Sequence, residues 1–166
     1  MARANEIPSI PKDWLDSTTA NGEETDVATA PVQLASNLDY DGATHQLTLT
    51  RGDGTVQQFP AANNPQKNSG GRWPDGTFGY ERRTTHPEDA PDSGYGSNGN
   101  YIFTVPDRTN MGVHSGRIDT PDGLGRTGVG HATLGCIRTT DEGTAAIGDA
   151  MVADDPITHI TVRNNQ

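Results

Sequence analysis

HATLGCIRTTDEG, residues 131 to 143, holds the only cysteine in a chain of 166 residues. Cys136 follows a glycine and precedes an Ile-Arg pair, and its role decides how the surrounding chain must be arranged. Three readings are open: a small buried hydrophobe, a metal ligand, or a nucleophile. A lone cysteine is commonly buried and inert. Gly135 argues for something more, because glycine permits a close backbone approach or a strained turn. Downstream, the spacing predicts a helix over 140–152. Thr140 or Asp141 can cap it, and Ala145, Ala146, Ile147, Ala150, Met151 and Val152 supply an apolar face. The residues after Cys136 run straight into this helix, so the sequence puts the thiol just upstream of a helix N-terminus. There the dipole and free N–H groups favour a thiolate and can hold a developing oxyanion.

Further out, the pattern is that of short strands. NLDYDGATHQLTLTRGDGTVQQFP (37–60) reads as two consecutive hairpins turning at Asp41-Gly42 and Asp53-Gly54, where glycine accepts the positive φ of a tight turn. Between them, residues 45–50 alternate polar and apolar, as a half-buried strand does. Three successive strands imply an antiparallel meander. Residues 61–100 are rich in Gly, Pro, Asn, Asp and Ser, a length of loop that suggests function. Within them, WPDGTFGY (73–80) reads as a turn followed by a strand. Strands are also expected over 101–105, 111–113 and 157–162, and residues 115–130 read as another glycine-rich loop. The fold class is therefore mainly β with one or two short helices.

Composition limits the function. Only 31% of residues are hydrophobic, with 20 Gly and 11 Pro, which fits a turn-rich β domain. The net charge of −10 gives no support for a nucleic-acid partner. No apolar run is long enough to span a membrane. One cysteine excludes an intrachain disulfide and any CxxC zinc site. Residues 1–33 read as a polar extension ahead of a domain over 34–166. The first residues, MARANEIPSIPKDWLDS, lack the apolar core of a secretory signal, so the chain is expected to be cytosolic, to have lost a signal, or to leave by another route.

A cysteine nucleophile needs a base within hydrogen-bond reach. His45 and His159 fall in amphipathic strands and His86 in a polar loop, all places for structural or solvated side chains. His114 ends the strand Met-Gly-Val-His and is followed by Ser-Gly, so it can face a cleft. His131, five residues before Cys136, is the rival base or a supporting partner.

Taken together, PDGTFGY (74–80), MGVHSG (111–116) and ATLGCIRTTDEG (132–143) resemble the L,D-transpeptidase catalytic domain of the YkuD type. That resemblance covers about residues 38–162. It implies a β-sandwich or mixed sheet with the catalytic cysteine at the start of a helix, and cysteine-dependent acyl transfer on peptidoglycan tetrapeptide stems of the meso-diaminopimelate type. Carried over by position, Cys136 is the nucleophile and His114 the base. The Ser115 carbonyl orients the histidine, and the Gly135 and Cys136 amides form the oxyanion hole. Arg138 supports the site or meets a substrate carboxylate, and Thr133 is the motif hydroxyl or a loop stabiliser. Trp73, Tyr80 and Tyr95 can line the cleft, although aromatic packing accounts for them as well. No metal or other cofactor is implied.

The chain departs from the pattern at two places. Leu134 stands where the family commonly has histidine, and the His114–Cys136 separation of 22 residues (136 − 114) is longer than usual. The resemblance places the site of action in the periplasm or cell wall. Without a signal in the first residues, two readings follow: a housekeeping enzyme, or an interbacterial effector with immunity and secretion-system partners. Carboxypeptidase, 3-3 crosslinking and D-amino-acid exchange chemistries stay open, since all resolve the same thioester. A papain-like hydrolase normally places cysteine before histidine, the reverse of the order here. The remaining alternatives are a peptidoglycan-binding module with little turnover, and a metal site from His114, His131 and Cys136.

Overall fold

The computed structural model describes residues 35–166. The extension expected over 1–33 lies outside the described residues. Eight strands and one α-helix follow in chain order: β1 (Ser36–Asp41), β2 (Gln46–Thr50), β3 (Val56–Ala62), β4 (Gly76–Thr84), β5 (Asn100–Phe103), β6 (Gly112–His114), β7 (Ile137–Thr139), α1 (Asp141–Val152) and β8 (Ile157–Arg163). The strands close into a barrel in the order β1-β2-β3-β7-β6-β5-β4-β8. It is a closed mixed sheet rather than two separate layers: β1 runs parallel to β8 and β6 parallel to β7, while the other pairs are antiparallel.

The meander over β1–β3 pairs as the alternation requires. Leu38 lies opposite Leu49, and Tyr40 opposite Leu47. These four are fully buried, with Ile160 and Val162 of β8 beside them. Each such side chain contributes about 1.5–3 kcal/mol by leaving water. His45 is displaced from the expected strand into the turn before β2, with φ of 55°.

Trp73 packs edge-on against Phe78, with ring centroids 5.5 Å apart, and against Phe103 at 6.1 Å. At 1% exposure Trp73 belongs to the barrel core and not to a cleft. Tyr80 likewise packs edge-on against Phe103 at 5.7 Å. Burial raises its phenol pKa. The indole and phenol rings supply the large apolar volume that a chain so poor in hydrophobic residues otherwise lacks.

Around the cysteine the chain takes a course different from that expected. A three-residue strand, β7, separates Cys136 from α1, so the first helical residue, Asp141, lies five positions on (141 − 136). Ile137-Arg138-Thr139 is too short to show a period of two. It is a strand because the barrel has a gap between β3 and β6, which all three buried residues fill. The cysteine is therefore not at the start of a helix. The helix itself forms where the sequence puts it, but Val152, expected on its apolar face, is exposed, and Gly143 and Thr144 are buried. Thr140 Oγ1 accepts from the Gly143 N–H at 3.1 Å as the N-cap, and Ala146, Ile147 and Ala150 face inward.

Candidate active site

β6 and β7 run side by side, with Val113 opposite Ile137 and His114 opposite Arg138. Extended by one residue, this parallel register sets Cys136 level with Gly112, two positions from His114 and so on the same face of the sheet. As a result, His114 and Cys136 line the same open cleft of about 280 Å³, with Tyr95, Arg117, His131 and Arg138 also on its walls.

His114 is 3% exposed, and its Nδ1 lies 2.8 Å from the Ser115 carbonyl oxygen. A carbonyl only accepts, so Nδ1 carries the hydrogen and Nε2 keeps the lone pair, the tautomer a general base requires. Arg138 donates Nη1–H to the same carbonyl at 2.6 Å. Ser115 is held in turn from below: its hydroxyl donates to Asp141 of α1 and accepts from Thr144 Oγ1 at 3.2 Å. The helix N-terminus thus serves the histidine side of the cleft and not the thiol.

Burial pushes the His114 pKa down to about 3. The Arg138 charge acts in the same sense, and the Ser115 hydrogen bond opposes both. Burial also raises the Cys136 thiol pKa, against the pull of the Gly112 N–H, Arg138 and the Asn100 side chain. The helix dipole expected to favour a thiolate is absent, and the resting pair is a neutral thiol beside a neutral imidazole. The thiol donates to the Asn110 carbonyl at 3.7 Å, and it makes no hydrogen bond with His114.

The turn before the cysteine is closed by Thr133. Its Oγ1 donates to the Cys136 carbonyl at 2.7 Å and accepts from the Gly135 N–H at 3.1 Å. This is the loop-stabilising arrangement, and it uses the hydroxyl hydrogen and one of the two lone pairs. It also changes the expected oxyanion hole, because the Gly135 N–H is already engaged. The Cys136 N–H has no acceptor among the described residues. Gly135 has φ of +129°, and a Cβ there would lie 3.0 Å from Met111 Cε, so the turn requires glycine. His131 lines the cleft with Nδ1 on the Ala132 carbonyl at 2.8 Å, the relation His114 has to Ser115.

The residue sequence reasoning missed is Asn63, just past β3 and 1% exposed. Its Nδ2 donates to the Gly135 carbonyl at 2.6 Å and the Cys136 carbonyl at 3.0 Å. Its Oδ1 accepts from the Trp73 N–H and from Asn165 Nδ2, each at 2.9 Å. One amide thereby fixes the cysteine backbone to the barrel wall with every polar group satisfied. In sequence, Asn63-Asn64-Pro65 looks only like a turn.

The loop between β4 and β5 lays Tyr95 over the site, edge-on to His114 with centroids 5.1 Å apart and stacked on exposed His86 at 5.7 Å. Gly96, at φ of +70°, lets this loop settle on Ser115, since a Cβ there would overlap the serine hydroxyl. The long segment between His114 and Cys136 is ordered by Asp122, which accepts from the Leu124 N–H at 2.8 Å and the Ala132 N–H at 3.1 Å and pairs with Arg126. Among the described residues, no three His, Cys, Asp or Glu side chains converge in metal-binding geometry. No helix among them is long and apolar enough to cross a membrane.

No protein-family model matches the chain, and no curated protein matches it. The structure is similar to solved structures, among them L,D-transpeptidases. Bd1075 of Bdellovibrio bacteriovorus aligns with a TM-score of 0.54 at 13% identity, over 79% of this chain and 49% of that one. Mycobacterium tuberculosis L,D-transpeptidase 1 aligns at 0.46 and 19% identity, over 78% and 62%. The L,D-transpeptidase (residues 123–326) from Xylanimonas cellulosilytica aligns at 0.49 and 17% identity, over 80% and 62%. The chain thus spans 49–62% of the length of these structures. At these identities the likeness is one of fold, a mainly β barrel with a single helix.

Proposed function

We propose that the chain is a cysteine acyltransferase acting on peptidoglycan stem peptides, in the manner of an L,D-transpeptidase. The observation that carries this reading is the His114–Cys136 cleft, in which the Ser115 carbonyl holds Nδ1–H and leaves Nε2 as the base. Because burial keeps both partners neutral, proton transfer accompanies attack instead of preceding it. The thiol exchanges its Asn110 acceptor for His114 Nε2, and Sγ bonds to the diaminopimelate carbonyl carbon whose amide joins it to D-alanine in a tetrapeptide stem, the bond that then breaks. The oxyanion is met by the Cys136 N–H. His114 then returns the proton to the amine of the departing D-alanine, leaving a thioester on Cys136. Water, a diaminopimelate amine or a D-amino acid resolves that thioester, with His114 again taking the proton. The cleft is the same for cell-wall remodelling and for an effector that attacks a rival's wall.

Mass spectrometry of a disaccharide-tetrapeptide incubated with the protein tests this reading, with Cys136→Ala alongside. Tripeptide, a 3-3 dimer or an exchanged terminal residue is expected, and its absence in the variant assigns the chemistry to Cys136. Unchanged tetrapeptide with the wild-type protein would favour the binding-module reading.

A further inference from the structure

Across the whole chain acids outnumber bases, 22 to 12, yet no aspartate or glutamate is among the residues that line the cleft. Its charged side chains are Arg117 and Arg138. Two like charges turned to one hollow repel unless an anion joins them. Burial lowers the Arg138 pKa to about 10, and the Arg117 charge acts in the same sense against the pull of Cys136. Arg138 is 4% exposed, and although Nη1 is bound to the Ser115 carbonyl, its buried Nε–H has no acceptor. A buried guanidinium with an orphaned donor is a site short of an acceptor.

Arg117 is aimed by its backbone. It adopts φ of +58°, a left-handed conformation costly for any residue but glycine. Both its backbone groups are pinned: the N–H donates to the Ser93 carbonyl at 3.2 Å, and the carbonyl accepts from the Gly128 N–H at 2.6 Å. It forms no ion pair among the described residues. The Asp92 carboxyl is held below the usual range by hydrogen bonds from Thr120 Oγ1 and the N–H groups of Asp119 and Thr120, helped by the Arg117 charge, but it forms no ion pair with Arg117. The pinned backbone therefore holds a cation without a salt-bridge partner at the cleft.

We infer that Arg117, acting with Arg138, forms a carboxylate subsite that selects stem peptides with a free carboxylate over amidated ones. This deepens the acyltransfer reading and rests on it for the identity of the ligand. The cationic pocket itself can be tested without peptidoglycan. Cys136 lies in the same cleft, so its alkylation by anionic iodoacetate and by neutral iodoacetamide reports the local potential.

The iodoacetate-to-iodoacetamide rate ratio is expected to exceed that of a cysteine in an unstructured peptide by about 3- to 10-fold at low salt, and to fall as salt rises. Arg117→Gln should lower the ratio, and Arg117→Lys should keep most of it. A wild-type ratio at or below the peptide value overturns the subsite, as does a ratio that Arg117→Gln leaves unchanged. With the ratio raised, Cys136→Ala protein should bind the free-carboxylate disaccharide-tetrapeptide about 3- to 10-fold tighter than its amidated counterpart. Equal binding of the two overturns the selectivity. A raised ratio with no muropeptide turnover in the wild type would instead count against the acyltransfer reading alone.

Discussion

Acidification should cost this protein stability through His114, and the size of the loss follows from its burial. The ring stays neutral in the folded state down to a pKa of about 3, against an ordinary value of 6.5. The unfolded chain therefore binds the proton first, and between pH 6.5 and 3 stability rises with pH. Each pH unit below 6.5 removes about 1.4 kcal/mol, so about 3 kcal/mol is lost between pH 7 and pH 4. That is a large share of the roughly 5–15 kcal/mol a domain possesses. Urea denaturation at pH 7, 5.5 and 4 measures it, with His114→Asn as the reference, because the asparagine amide can still donate to the Ser115 carbonyl but cannot titrate. Carboxylates titrate equally in both proteins and cancel. Wild type should lose about 3 kcal/mol more than the variant across this range. Parallel pH dependences, or a His114 ring that titrates near 6.5 by NMR, would refute the reasoning.

Two further substitutions probe the cysteine turn. Asn63→Ala removes two hydrogen bonds to the Gly135 and Cys136 carbonyls and two more, from the Trp73 N–H and Asn165 Nδ2, and should destabilise by about 2–4 kcal/mol in denaturant. It should also slow muropeptide turnover, because the thiol loses its anchor. Gly135→Ala forces a side chain into a φ of +129° and towards Met111, and about 1–3 kcal/mol of destabilisation with loss of turnover is expected. Unaltered stability would show that the turn relaxes freely.

The candidate pair His114 and Cys136, which the structure brings to one cleft, was legible because its signals are local. A strand that ends in histidine before two small residues, and a cysteine after glycine, are features of adjacent residues. What sequence could not supply was the cysteine's surroundings. The expected helix dipole at the thiol fails because β7 intervenes, and β7 exists only where β3 and β6 leave a place for it. Trp73 and Tyr80 read equally as cleft or core; the barrel interior took Trp73, while half-buried Tyr80 packs against its edge through Phe103. Asn63 is distant in sequence from both carbonyls it holds, so no pattern along the chain announces it.

The sequence by itself determined the hairpins after Asp41 and at Asp53-Gly54, although the positive φ of the first falls on His45 and not on Gly42, and it determined the alternation that buries Leu47 and Leu49 and the capped helix after Thr140. Each depends on backbone preference and periodicity over a few residues. The tertiary structure alone decided the closure of the barrel, the neutral state of the His114–Cys136 pair and the lack of carboxylates along the cleft. These depend on strand pairing across the chain and on burial, which sets the charge states and exists only once distant segments have met.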